Sequence, residues 1–375
     1  MRKYYSIMIK PASSLCNLRC KYCFYANVSD LREVKSYGIM SDDIVENMLA
    51  KIYDELSDND QLDIAFQGGE PTLASLSWFK HFMAIIDNWD KKIIVNYALQ
   101  TNGILIDDEW AKFFCDHKVL VGLSLDMIKD IHDKVRVDVN GKGTYNTLIK
   151  TINILNKYHV EYNVLCTLTN NVARYPIKVY NELKKLNIRF VQFTPCLDEL
   201  DKPHDSVYAL TPERFASFYK TVFDLWYKDF CQNNYYSIKL IDDIVNLLAY
   251  NRQTACGILG KCSPQLVIEA NGMVYPCDFY CLDDHCLGNI LELSLHDLYI
   301  ASLNHPSKEV IPLPKHCEVC NFNKMCHGNC KRMRSEICLD MDDNYCGYED
   351  FLQYSIERLM NIAKEQVRFR NASMK

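Results

Sequence analysis

The sequence predicts an α/β protein: a parallel sheet clad by helices, either an open barrel or a doubly wound sheet, followed by a loop-rich part held together by metal. Three observations carry this. Short apolar runs alternate six times with helix-like stretches over roughly the first 200 residues. From Cys256 onward that alternation stops and cysteines crowd the chain. The 375 residues are 49% hydrophobic, enough to bury a substantial core.

The expected strands are Tyr5–Lys10, Leu62–Phe66, Ile93–Leu99, Val119–Leu125, Tyr162–Leu168 and Phe190–Thr194. Between the first two, Ile44, Val45, Met48, Leu49, Ile52, Tyr53 and Leu56 fall at helical spacing behind Ser41, a suitable N-cap. Further helices are expected near Trp78–Ile86, Trp110–Phe114, Tyr145–Tyr158 and Pro176–Leu186. Two more, about Pro212–Phe230 and Ile238–Tyr250, bridge to the C-terminal part. There, Gln265–Cys277 reads as a hairpin, with Asn271-Gly272 as a type I′ turn. A last helix is expected from about Glu349 to Ala363. No internal repeat beyond the β/α alternation and no low-complexity segment is present.

A net charge of −6 argues against a nucleic-acid partner, which would call for a basic stripe. No apolar run approaches the roughly 18 residues that span a bilayer, so no membrane partner is expected. Met1–Lys10 offers only the short stretch Ser6–Ile9 as an apolar core, too little for a secretory signal. A cytoplasmic location follows as an expectation. Eighteen cysteines in a reducing compartment read as metal ligands or catalytic thiols rather than disulfides.

Cys16-x3-Cys20-x2-Cys23 follows the first strand, at the carboxyl end where parallel sheets place their sites. A protein-held [4Fe–4S] cluster takes four cysteines, so three leave one iron open to a small ligand. Zinc is the competing reading, but a structural zinc site closes on four ligands and no fourth stands nearby. Gln67-Gly68-Gly69-Glu70-Pro71 comes directly after the second strand. Its glycines let backbone approach a ligand, and Glu70 could pair with an ammonium; taken alone, such a Gly-Gly turn is more often just a turn. Gln100–Gly103 and Ser124–Asp126 end the third and fourth strands at the same face. Downstream, Cys317-x2-Cys320-x5-Cys326-x3-Cys330 and Cys346 suit iron–sulfur clusters or zinc about equally by spacing.

These motifs, in this order, resemble the radical S-adenosylmethionine superfamily. The resemblance implies a partial (β/α)6 TIM-like barrel. It implies that Cys16, Cys20 and Cys23 hold a [4Fe–4S] cluster whose open iron takes S-adenosyl-L-methionine. Gln67, Gly68, Gly69 and Glu70 would hold the amino group of that cofactor, and Ser124 and Arg136 its carboxylate. Tyr22 and Leu197 would lie against its adenosine, although Leu197 by itself reads equally as a core leucine. The implied chemistry is one-electron cleavage of the sulfonium to a 5′-deoxyadenosyl radical that abstracts hydrogen.

The C-terminal cysteines resemble the auxiliary-cluster domain known as SPASM. That likeness implies two more [4Fe–4S] clusters. One would sit on Cys256, Cys262, Cys277 and Cys330, the other on Cys317, Cys320, Cys326 and Cys346. The implied domains are 1–210 for the barrel, 211–255 for a helical connector and 256–375 for the SPASM domain with its C-terminal helix. Cys115 and Cys166 read as core residues, while Cys281, Cys286 and Cys338 receive no role.

Ile9-Lys-Pro-Ala-Ser-Ser14, Val34–Met40, Cys256-Gly-x4-Cys262 and Tyr275-Pro-Cys-Asp-Phe-Tyr280 resemble the anaerobic sulfatase-maturating enzymes over nearly the whole chain. The resemblance implies oxidation of a cysteine or serine, in a Cys/Ser-x-Pro-x-Arg segment of a nascent sulfatase, to Cα-formylglycine. Asp278 would be the base, and an external one-electron reductant such as a flavodoxin or ferredoxin would supply electrons. Met127-Ile128 stands where that family usually has Gly-Pro, which bears on the peptide partner more than on the cofactor. Two other readings stay open: a radical enzyme that forms thioether or carbon–carbon links in a ribosomal peptide, and a non-catalytic iron–sulfur or zinc protein.

Overall fold

A computed structural model describes residues 2–309 and 311–373, the side chains of 371–373 excepted. Residues 1, 310, 374 and 375 of the expected domain spans lie outside the described residues. The strands are β1 (Tyr4–Ile9), β2 (Gln61–Phe66), β3 (Ile94–Thr101), β4 (Leu120–Ser124), β5 (Tyr162–Leu168), β6 (Phe190–Pro195), β7 (Ser237–Ile238), β8 (Leu266–Ile268), β9 (Met273–Tyr275) and β10 (Gly288–Asn289). All six strands expected from the sequence are there, with ends shifted by one or two residues. The chain divides into two compact units, Met1–Ser124 with Asp133–Tyr162 and Pro264–Glu309, and Leu125–His132 with Asn163–Ser263 and Val310–Lys375.

In the first unit, β1 to β4 pair in parallel in chain order, with Ile9 opposite Phe66 and Phe66 opposite Leu99. β8 adds in parallel to the free side of β1, and β9 and β10 follow antiparallel. Each parallel crossover is helical, as a parallel ladder requires. The helix Asp42–Glu55 starts where expected: Ser41 Oγ accepts from the Ile44 N–H, and two aspartates occupy the positive end of the helix. Val45, Met48, Leu49 and Ile52 are buried from it, each contributing on the order of 1.5–3 kcal/mol. Along β2, Leu62, Ile64 and Phe66 are buried while Gln61, Asp63 and Ala65 alternate as half-buried. Phe66 meets Trp78, Phe79 and Phe82 of the helix Leu76–Asp87 edge-on. This apolar side locks the strands, so the loops at their carboxyl ends start from fixed points.

In the second unit, β5, β6 and β7 pair in parallel. The helix Pro212–Phe230 carries a Thr211 N-cap and a proline in its first turn. Its rings Phe215, Tyr219 and Phe223 pack on Phe351 of the helix Gly347–Ser373. That last helix begins at a glycine because a Cβ there would stand 2.1 Å from the Pro212 carbonyl oxygen. It runs ten residues past the expected end at Ala363. The apolar stripe stops there, but Lys364, Glu365, Gln366 and Arg368 are strong helix formers and nothing breaks the run.

Two sequence expectations are corrected. Asn271 is not left-handed, and only Gly272 has positive φ (+85°). Gly272 N–H closes on Glu269 O at 2.9 Å and Glu269 N–H on Met273 O at 2.9 Å, which is a type I turn followed by a glycine bulge, not type I′. The helix Phe24–Asp30, directly after Cys23, was not expected, nor were the short helices Lys315–Val319, Asn323–Cys326 and Arg334–Ile337. Each is too brief to show a helical period. No helix among the described residues is long and apolar enough to cross a membrane.

Candidate active site and auxiliary cysteine cavity

The loops after β1 and β2 are tied to one another by backbone bonds. Gln67 N–H donates to Ile9 O (3.0 Å), Gly69 N–H to Ser13 O (2.9 Å) and Glu70 N–H to Leu15 O (2.7 Å). Side chains at the two glycines would destroy this approach. A Cβ on Gly68, at φ +115°, would lie 2.7 Å from Ser13 O, and one on Gly69 would lie 2.1 Å from Leu15 O. The glycines thus seat this turn against the cysteine loop.

Glu70 is 1% exposed. Its Oε1 accepts from Thr72 N (3.1 Å), Thr72 Oγ1 (2.6 Å) and Thr101 Oγ1 (2.7 Å), and its Oε2 from Asn102 N (2.7 Å). Burial pushes this carboxyl up, and the four donors only partly offset that. Oε1 is crowded; Oε2 retains room for a further donor such as an ammonium.

The Cys16 sulfur faces Leu18 N at 3.4 Å and Asn102 Nδ2 at 3.8 Å, while Asn102 Nδ2 also bonds Asn17 Oδ1 at 2.7 Å. Burial raises the Cys16 thiol above its usual range. Cys23 N–H bonds Cys20 O at 3.3 Å, so the last two cysteines share one tight turn. Arg136, buried, lies 4.0 Å from the Cys20 sulfur and over the Tyr22 ring at 5.3 Å. The three cysteines, Tyr22, Gln67 to Glu70, Ser124 and Arg136 all belong to the first unit, and Ser124 ends β4 in a buried position. Leu197 is half-buried in the second unit. Met127 and Ile128 are fully buried, so at this departure from the Gly-Pro pattern two core side chains are gained.

A polar network surrounds Asp278 in the first unit. Tyr25 OH donates to its Oδ2 at 2.6 Å and lies 3.2 Å from Gln67 Oε1. Lys10 Nζ sits 3.0 Å from Asp278 Oδ1, 3.2 Å from the Cys281 sulfur and 3.7 Å from Glu269 Oε1. Arg32 closes on the same Glu269 oxygen at 2.7 Å. Burial works against the charge on Lys10, yet Asp278, Cys281 and Glu269 more than offset it and raise its pKa. Burial likewise opposes ionisation of Glu269, and Lys10 with Arg32 overcomes it, leaving that carboxyl lowered. Burial, then Asp278, pushes Tyr25 well above the usual phenol range. The Cys281 thiol is pushed up to about 12 by burial, despite Lys10. Of the charged members only Asp278 keeps appreciable side-chain exposure, 15% against 3% for Lys10, so it is the one a substrate can reach. The sequence reading missed Lys10, Tyr25, Arg32, Glu269 and Cys281. The available signal was a lysine at the end of an otherwise apolar buried strand.

In the second unit, Cys317, Cys320, Cys326, Cys338 and Cys346 line one small cavity beside Tyr348 and His316. Five thiols around one pocket include the four that an iron–sulfur cluster or a closed zinc site would take. Hydrogen bonding to Cys338 lowers Cys326, and lowers Cys346 to about 7; the same bonds push Cys338 well up. Burial raises Cys317 and Cys320 to about 11. Cys330 does not line this cavity. It is influenced instead by Cys256 and Cys262, and a Cβ on Gly257 would come within 2.6 Å of its Cβ. Cys277 belongs to the first unit.

A parallel half-barrel with a tri-cysteine loop and a cysteine-rich annex defines a class, the radical S-adenosylmethionine proteins with an added iron–sulfur domain. The chain matches the model of the radical SAM superfamily over residues 11–175 and that of an iron–sulfur cluster-binding domain over residues 261–331. It is 42% identical to the cysteine-type anaerobic sulfatase-maturating enzyme of Clostridium perfringens strain 13, covering 96% of this chain and 98% of that one. The serine-type anaerobic sulfatase-maturating enzyme of Bacteroides thetaiotaomicron is 27% identical, covering 96% of this chain and 91% of that one. A solved structure of native anSMEcpe with bound AdoMet and Cp18Cys peptide is similar at TM-score 0.86 and 38% identity, over 96% of this chain and 99% of that one. The chain belongs to the anaerobic sulfatase-maturating enzyme family.

Proposed function

We propose that this enzyme oxidises a cysteine, in a Cys-x-Pro-x-Arg segment of a nascent sulfatase, to Cα-formylglycine. Serine, the residue named in the serine-type relatives at 27% identity, is the less favoured target. The observation that carries the reading is Asp278, partly exposed and held between Lys10 and Tyr25.

Cys16, Cys20 and Cys23 would hold the cluster that binds S-adenosyl-L-methionine, with the C-terminal cysteines holding two auxiliary [4Fe–4S] clusters. Bound, these groups supply hydrogen abstraction at the target Cβ and an acceptor for the electron released. The chain's own residues do the rest. Glu70 Oε2 would take the cofactor's ammonium, and Arg136 and Ser124 its carboxylate, with Tyr22 and Leu197 against the adenosine. Asp278 takes the thiol proton as charge leaves the substrate sulfur. Lys10 pairs with that carboxylate through Oδ1, and Tyr25 fixes its orientation through Oδ2. Water then hydrolyses the thioaldehyde to the aldehyde and releases sulfide. Residues 1–210, 211–255 and 256–375 would serve as barrel, connector and auxiliary domain. The reaction would run in the cytoplasm on electrons from a flavodoxin or ferredoxin.

Mass analysis of a Cys-x-Pro-x-Arg peptide after anaerobic turnover tests this. An aldehyde product with 5′-deoxyadenosine is expected. An internal cross-link in the peptide, or bound zinc with little iron and no 5′-deoxyadenosine, would overturn it.

A further inference from the structure

Lys10 follows β1 and Glu269 follows β8. Those strands pair in parallel with Ile9 opposite Ile268, so the next residue of each meets the other. The Lys10 N–H, donated to Ile268 O at 2.9 Å, carries the register to that point. An ammonium has three protons to give. Lys10 Nζ meets three acceptors: Asp278 Oδ1 at 3.0 Å, the Cys281 sulfur at 3.2 Å and Glu269 Oε1 at 3.7 Å. Cys281 turns its own S–H toward Cys277 O at 3.6 Å, so it meets Lys10 as a neutral thiol. Two carboxylates therefore compete for one ammonium.

Asp278 holds the ammonium more closely, although the Glu269 side chain is the more deeply buried, 1% exposed against 15%. A buried carboxylate left without another partner would draw the cation harder, because its charge has lost more water. Arg32 reverses that order. Its Nη1 donates to Glu269 Oε1 at 2.7 Å, the same oxygen that faces Lys10. Arg32 is itself buried and fixed, with Nη2 donating to Lys35 O at 2.9 Å and the guanidinium over the Tyr37 ring at 5.4 Å.

Resting on the reading of Asp278 as the base, we infer that Arg32 is a positioning residue for the oxidation: by pairing with Glu269 it assigns the Lys10 ammonium to Asp278 and so holds the Oδ1 side of that carboxylate. Tyr25 holds the Oδ2 side separately. Without Arg32 the ammonium moves to Glu269, and Asp278 keeps Tyr25 alone. The step that suffers is delivery of the substrate's thiol proton to Asp278. Peptide binding and cleavage of S-adenosyl-L-methionine do not depend on it.

The test uses full-length protein reconstituted anaerobically, as wild type, Arg32→Met, Arg32→Lys, Glu269→Gln and the double variant Arg32→Met with Glu269→Gln. It reads aldehyde formed per 5′-deoxyadenosine, KM for a Cys-x-Pro-x-Arg peptide, and iron content. Arg32→Met should keep its iron and its KM, while aldehyde per 5′-deoxyadenosine falls about tenfold or more. Arg32→Lys, which keeps the charge, should retain most of the ratio. Glu269→Gln removes the competitor and should leave the ratio at the wild-type level. The double variant should regain that level, and it stays informative should Arg32→Met alone fail to fold, since it leaves no buried charge unpaired there. A full ratio in Arg32→Met overturns the inference. So does a lowered ratio in the double variant, which would make Arg32 a purely structural residue, or in Glu269→Gln alone, which would make Glu269 a holder of Lys10 and not its competitor. Wild type that makes 5′-deoxyadenosine but no aldehyde would instead sink the reading of Asp278 on which the inference rests.

Discussion

Lys10 is a single ammonium shared by Asp278, Glu269 and Cys281, in a site where it is almost wholly shielded from water. Its partners divide the work: Glu269 is neutralised by Arg32 as well, which leaves Lys10 free to balance Asp278. Tyr25→Phe deletes one hydrogen bond to a charged group, about 1.5–3 kcal/mol. If that bond matters only while Asp278 accepts a proton, kcat for peptide oxidation should fall by roughly 10- to 100-fold with KM little changed. An equal rise in KM would place Tyr25 in substrate binding instead.

Glu269 allows a pH prediction with a definite sign. Its folded-state pKa lies below the unfolded value of 4.5, so its ion pairs stabilise the fold above that pH. That contribution is lost as pH falls through the lowered folded value. Urea unfolding at pH 7 and near pH 3 should therefore show a larger loss for wild type than for Glu269→Gln, which cannot ionise. Equal losses would mean that Glu269 is not the group responsible.

At the scale of elements, the turn after β2 and the cysteine loop after β1 depend on each other. The contact is backbone against backbone at Gly69, so no side chain can swing aside to relieve a clash. Gly69→Ala should separate the loops and lower the iron bound at Cys16, Cys20 and Cys23. The chain should still fold, because the strand pairing below the loops is untouched. Iron analysis alongside far-UV circular dichroism checks this; full iron in the variant would refute it. Elements with long periodic faces, such as Asp42–Glu55 and Pro212–Phe230, were legible in the sequence because one apolar stripe and one cap define each. The short helices around Cys317 to Cys338 were not, since their backbone follows the cysteines and turns rather than any period.

Over the whole molecule, two sources of cohesion differ between regions. The β1–β4 region is held by aromatic and aliphatic burial; the segment 315–346 is held by cysteines around a cavity and by few apolar side chains. Where metal replaces core, binding free energy becomes folding free energy. Chelating iron from the reconstituted protein should make 315–346 sensitive to protease well before residues 4–124 are cut. Mass mapping of early fragments would show it, and uniform digestion would contradict it.

By itself the sequence determined the alternation of strands and helices, the three-cysteine loop and its place at a strand's carboxyl end, because those are local patterns in which spacing alone sets geometry. Tertiary structure alone decided that Glu70 is a crowded buried carboxylate, that Lys10, Tyr25 and Cys281 gather around Asp278, and that Cys338 joins four other thiols. These groups lie tens to hundreds of residues apart, and only the packing of the chain that carries them sets which charge meets which.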